Sequence, residues 1–172
     1  MLTKENIELI FDAASIQRWN DHIRPSKGFT ELDKQSHKMM YAYVLAKIEE
    51  SDRNCKINWR LIIEGGIYEF FHRIMLTDIK PPIFHMLMEE KGEMLNDWVL
   101  DQLKAKRFNE IGEDFFDKFR LYLKDPQYAA MEKKILRAAH YLATNWEFEI
   151  IYNLNKNLYG LEATREEIIN EI

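Results

Sequence analysis

Apolar residues recur three and four positions apart through most of this chain, the spacing of one face of an α-helix. Ile7, Ile10, Phe11 and Ala14 follow Thr3 at that spacing and predict a capped first helix from Thr3 to about Trp19. Asn20 to Phe29 contains Pro25 and Gly28 and reads as a loop. Thr30 with Asp33 predicts the cap of a second helix to about Glu50, with Leu32, Met39, Met40, Tyr43, Val44 and Ile48 as its apolar stripe and His37 at the stripe's edge. Asn58 can cap a third helix that runs to a turn at Asp78. Gly65 and Gly66 lie inside it at a cost of about 1 kcal/mol each relative to alanine, which predicts the close approach of another helix or of a ligand. A fourth helix follows from about Pro82 to Lys106, with a break allowed at Gly92, and a shorter one from about Glu113 to Leu123. Asp125-Pro126 reads as cap and first residue of a long helix to about Asn155, and Thr164 with Glu167 as a capping box for a last helix.

These segments predict an all-α bundle of about six to seven helices in one domain over residues 1–172. Six glycines and four prolines are sparse punctuation, which favours long helices over many short strands. The final helix is still apolar at Ile168, Ile169 and Ile172, so a homo-oligomer contact or a chain that continues is expected there. Hydrophobic residues make up 47% and charged ones 31%, the balance of a globular rather than a disordered chain. A net charge of -5 argues against a nucleic-acid polymer as partner, while leaving room for a local basic pocket. No apolar run reaches the length of a membrane span, and the first dozen residues lack a signal-peptide core, so no membrane partner and a cytoplasmic location are expected. The single Cys55 excludes an internal disulfide and a multi-cysteine zinc site.

Candidate chemistry concentrates in the third helix. Glu69 and His72 are three residues apart and Arg73 is four from Glu69, so all three share a side. Set among Ile67, Phe70, Phe71, Ile74 and Met75, such groups must be paired, metal-bound or at the edge of a cleft. The plain alternative is an internal ion pair between Glu69 and Arg73. Histidine and carboxylate on several helices (His37, Glu69, His72, Asp78 and His140) suit a divalent Mn, Co, Fe, Ni or Zn in a hydrolytic site. Arg18 and Arg73 carry the forked donors that hold phosphate. Glycine-rich phosphate loops and the GxSxG nucleophile elbow are both absent. Glu69 and His72 form one Glu-x-x-His motif, but no second one exists, which argues against a di-iron bundle.

The order of four short pieces resembles the HD-domain phosphohydrolases, most of all the YfbR-like 5'-deoxynucleotidases. The pieces are Ile16-Gln17-Arg18-Trp19, then Gln35-Ser36-His37 ahead of Val44-Leu45-Ala46, then Leu76 to Pro82, and finally Leu136 to Leu142. The resemblance implies a divalent metal, a phosphate monoester substrate such as a nucleoside 5'-monophosphate, and roles for particular residues. His37 matches a metal ligand, with Glu69 and His72, and His140 as a further candidate, completing a rearranged set. Asp78 matches the catalytic acid, assisted by Glu69. Arg18 and Trp19 match the phosphate-side pair, to which Arg73 would add a second guanidinium. The family's His-Asp pair is replaced by Tyr68-Glu69 or Glu69-Phe70, and its distant Asp by Ala139. The same resemblance therefore carries an alternative, a degenerate HD domain that binds a ligand or a protein partner. A helical adaptor without a small-molecule site is the third reading.

Overall fold

The computed structural model describes residues 3–19, 29–77, 79, 81–112, 114–154, 156–157 and 160–171. Seven α-helices run through them: α1 (Lys4–Asp12), α2 (Glu31–Arg53), α3 (Trp59–Leu76), α4 (Pro81–Ala105), α5 (Phe115–Lys124), α6 (Ala130–Leu154) and α7 (Leu161–Glu171), with a short 3-10 turn at Phe108–Glu110. The all-α expectation holds, and the one extended pairing among the described residues is an isolated bridge between Gln17 and Thr30. Three of the predicted starts are capped as read. Thr3 and Thr30 each form a capping box, with Asn6 and with Asp33, and the Asn58 side chain accepts from the Leu61 amide. The allowed break in α4 falls at Lys91, beside Gly92, where φ is -139°.

Helices α2, α3 and α6 pack against one another and form the centre, with α4 and α5 against α3 and α7 against α6. The glycine pair in α3 does what its cost predicts. A methyl group on Gly65 would sit 2.9 Å from both Tyr122 and Leu136, and one on Gly66 would meet Met39 of α2. The main core gathers Tyr68, Phe71, Phe108, Phe119 and Leu136, and Tyr68 stacks on Phe119 with ring centroids 4.8 Å apart. A second cluster joins Trp19 and Phe29 to Phe148 and Ile151 of α6 and to Leu161 and Ile168 of α7.

Several boundaries differ from the sequence reading. Helix α1 stops at Asp12 instead of about Trp19, because the chain must turn to lay Gln17 beside Thr30. Helix α6 begins at Ala130 rather than Pro126. The Asp125 side chain accepts from the Gln127 amide in a local turn, and Ala129 takes a φ of 55° before the helix starts. Thr164 lies inside α7 and bonds back to the Gly160 carbonyl instead of capping. The largest difference is the orientation of α2. Its stripe of Leu32, Met40, Tyr43, Val44 and Ile48 faces outward, and the buried face is Glu31, Lys34, Lys38, Ala42 and Ala46. The two alanines are fully buried in the main core, and the two lysines turn towards a polar interior. The predicted start of α5 at Glu113 and end of α6 at Asn155 lie outside the described residues.

Candidate functional site: a buried cationic cavity

The strand-like pairing before α2 positions the first elements of the site. The Arg18 amide donates to the Phe29 carbonyl and the Glu31 amide to that of Ile16, which sets Arg18 beside Glu31. Trp19 then adopts a φ of 63°, a strained value for a bulky residue, and both side chains point inward with about 5% of their surface left exposed. Arg18 Nε donates to Oε2 of Glu147 at 2.8 Å and Nη1 to Oε1 of Glu31 at 2.9 Å. The Trp19 indole donates to the same Glu147 oxygen at 2.9 Å. Burial pushes the Glu31 carboxyl upward, but Arg18, Lys34 and Arg73 outweigh it and hold the acid below its usual range.

From this corner a cavity of about 540 Å³ extends between α2, α3 and α6 and reaches α4, the end of α5 and α7. Small-molecule sites commonly have this size. Its charged lining is six cations (Arg18, Lys34, Lys38, Arg73, Lys133 and Arg137) against three acids (Glu31, Glu69 and Glu167). Phe70, Ile79, Phe84, Tyr141 and Ile168 supply apolar wall. Lys34 Nζ lies 3.1 Å from Nε2 of His140. Two fully protonated groups cannot meet that way, so one of the nitrogens offers a lone pair. Both are pushed well below their ordinary pKa ranges. For Lys34 the causes are burial and then Arg18. For His140 they are burial and then the charges of Lys34, Lys38, Arg18 and Arg73.

The predicted side chains fall as follows. Arg18, Trp19, Glu69, His72, Arg73 and His140 all line the cavity. Glu69 does not pair with Arg73. It accepts from Lys38 Nζ at 2.5 Å and from the Tyr122 hydroxyl at 2.5 Å, while Arg73 reaches Glu31 at 3.5 Å and the Ile79 carbonyl at 3.2 Å. The register explains the exchange: Lys38, one turn beyond Lys34 on the buried face of α2, stands opposite Glu69 of α3. Burial and the Glu69 charge raise the Tyr122 hydroxyl pKa, so that group stays a donor. His72 Nε2 donates to Oδ1 of Asn96 at 3.0 Å, and burial lowers its pKa below the ordinary histidine value. His37 does not line the cavity. Its ring packs edge-on against Trp146 with centroids 4.8 Å apart, and its Nδ1 is buried without a hydrogen-bond partner among the described residues. Asp78 lies outside the described residues.

A divalent cation among Glu69, His72 and His140 would have to displace Lys38, Asn96 and Lys34. Among the described residues, no three histidine, cysteine, aspartate or glutamate side chains are grouped to hold a metal ion. The donor set as it stands does not fit the metal that the resemblance implies. It fits an anion.

Sequence reasoning missed Lys34, Lys38, Tyr122, Arg137 and Glu147. One signal for them exists. Lys133, Arg137, His140, Thr144 and Glu147 recur at helical spacing along α6, and Glu31, Lys34 and Lys38 do so along α2. These are polar stripes on helices whose other faces are also apolar, which is the mark of a polar interior.

Comparisons with protein-family models, with curated proteins and with solved structures find no match to this chain. Fold and site together define an all-helical protein whose cavity is lined by more cations than acids among the described residues. No helix of the described residues is long and apolar enough to cross a membrane.

Proposed function

We propose that this chain is an HD-like domain, idle as a metal-dependent phosphohydrolase, that binds a small phosphorylated ligand, with a nucleoside 5'-monophosphate as the first candidate. The observation that carries the reading is the cavity lining, where Arg18, Lys38, Arg73, Lys133 and Arg137 outnumber Glu31, Glu69 and Glu167 among the described residues, in a chain whose net charge is -5. A concave surface lined by more cations than acids focuses a positive potential that attracts an anion. Arg73 and Lys38 would grip phosphate oxygens, Arg18 would support them from its place between Glu31 and Glu147, and Trp19, Phe84 and Tyr141 would face the organic part. Hydrolysis through a metal, the activity carried by the resemblance, would require Glu69, His72 and His140 to give up their present partners.

The test is isothermal titration with inorganic phosphate and with nucleoside 5'-monophosphates, with and without added Mn. Saturable binding that needs no metal is expected. Arg73→Gln should weaken it about tenfold or more, the worth of a charged hydrogen bond. Near-stoichiometric metal in the purified protein, together with phosphate release from the monoester, would overturn the idle reading and restore the hydrolase.

A further inference from the structure

Lys34 is the cavity residue that phosphate binding does not explain. It is 6% exposed, and its Nζ meets an imidazole nitrogen rather than a carboxylate among the described residues. The neighbouring acids are engaged by other groups: Glu31 by Arg18 and Arg73, Glu147 by Arg18 and Trp19, and Glu69 by Lys38 and Tyr122. A lysine that served only as a phosphate grip would be better placed beside one of these acids, where its charge is secured. Instead it shares the cavity with Arg18, Lys38, Arg73 and Arg137 as well as with the already engaged Glu31 and Glu69, and faces His140. Desolvation and cationic neighbours are the two conditions that leave a lysine amine with its lone pair near neutral pH.

We propose that Lys34 is an amine nucleophile that forms a reversible imine with the carbonyl carbon of a small anionic aldehyde or ketone held in this cavity. The proposal rests on the anion-binding reading above and adds the carbonyl to the ligand's chemistry. Neutral Nζ adds to the carbonyl carbon; a C–N bond forms and the π pair of the C=O bond moves to oxygen. One proton leaves nitrogen and passes by way of Nε2 of His140 to that oxygen, giving a carbinolamine. The hydroxyl then departs with the second nitrogen proton as water, and the C=N bond closes. One carbonyl and one amine yield one imine and one water, with no oxidant or reductant. Arg18 and Arg73, steadied by Glu31 and Glu147, would hold the ligand's anionic group, and Lys38 is engaged by Glu69.

The natural ligand being unidentified, the probe is pyridoxal 5'-phosphate, a phosphorylated aldehyde that suits a cavity of about 540 Å³. The full chain is incubated with it near pH 7, reduced with borohydride and mapped by peptide mass. One adduct per chain is expected on Lys34, with labelling there about tenfold or more above that of exposed lysines, since each unit by which an amine pKa falls raises its neutral fraction about tenfold. Inorganic phosphate should protect Lys34, and Lys34→Arg should lose the adduct. The map on the unaltered chain decides the matter even if that variant folds poorly. Saturable, phosphate-competed binding of the probe, seen by its absorbance, with no adduct at Lys34 would overturn the imine and leave the anion pocket standing. Absence of saturable binding by both probe and phosphate would overturn both. Labelling spread over surface lysines would also overturn the imine.

Discussion

Glu147 is fully buried, and a single one of its oxygens takes hydrogen bonds from both Arg18 and Trp19 while the other faces no donor among the described residues. It fixes the two residues that open the cavity and offsets the charge of one of them. Removing it leaves buried Arg18 with Glu31 as its remaining acidic partner among the described residues. Glu147→Ala is therefore expected to cost about 3–5 kcal/mol, read as a fall in the urea midpoint at constant slope. Glu147→Gln, which keeps an acceptor for the indole, should cost less; equal losses for the two would mean that shape rather than charge matters here. At this scale the sequence was partly legible. Arg18 and Trp19 stand out as a pair near the start of the chain, but their partner is 129 residues from Arg18, and no local spacing connects them. Glu69 was legible as a group needing a partner, and the nearest cation in sequence was the wrong one. Arg73 is one turn away along α3, while Lys38 comes from the helix packed across it.

At the scale of elements, caps were readable and orientation was not. Thr3, Thr30 and Asn58 cap through contacts within three residues, so the information is local. Helix α2 shows the reverse case. Both of its faces carry apolar residues, and the larger stripe faces outward because the smaller one, with Ala42 and Ala46, fits closely into the core while Lys34 and Lys38 find their counterparts inside. Glycine at 65 belongs to the same logic of close approach. Its substitution by alanine gains about 1 kcal/mol of helix propensity, but the added methyl group meets Tyr122 and Leu136 at 2.9 Å inside a packed core. Overpacking of that kind costs about 1–3 kcal/mol, so Gly65→Ala should be destabilising on balance, with a lower thermal midpoint. A midpoint that rises would show that α5 and α6 can yield there.

The cationic interior also sets how the whole molecule responds to pH. His140 and His72 have folded-state pKa values below their ordinary one, chiefly through burial. The unfolded chain therefore binds more protons once the pH drops below about 6.5, and stability falls as the pH is lowered through that region. Lys34 acts with the same sign at higher pH, since its folded pKa also lies below its unfolded value and stability through it rises with pH. Glu31, held low, adds a loss only in more acidic solution, through its folded pKa. The urea midpoint should be lower at about pH 5.5 than at about pH 7.5. His140→Gln should narrow the gap, and saturating phosphate should narrow it too, because an anion in the cavity favours the protonated forms. A midpoint indifferent to pH between those values would contradict this electrostatic picture.

Helical character, the start of most helices and the close contact at the glycine pair are legible in the sequence alone. All of these are written in spacing, capping chemistry and short-range order. The tertiary structure alone decided which charges meet, that α2 turns its lysines inward, that His37 stands away from the cavity beside Trp146, and that the site's surplus is positive. The reason is physical. Helix propensity and caps act over one turn, whereas the partner of a buried charge is chosen by the packing of helices distant in sequence, where desolvation leaves an unpaired ion too costly to keep.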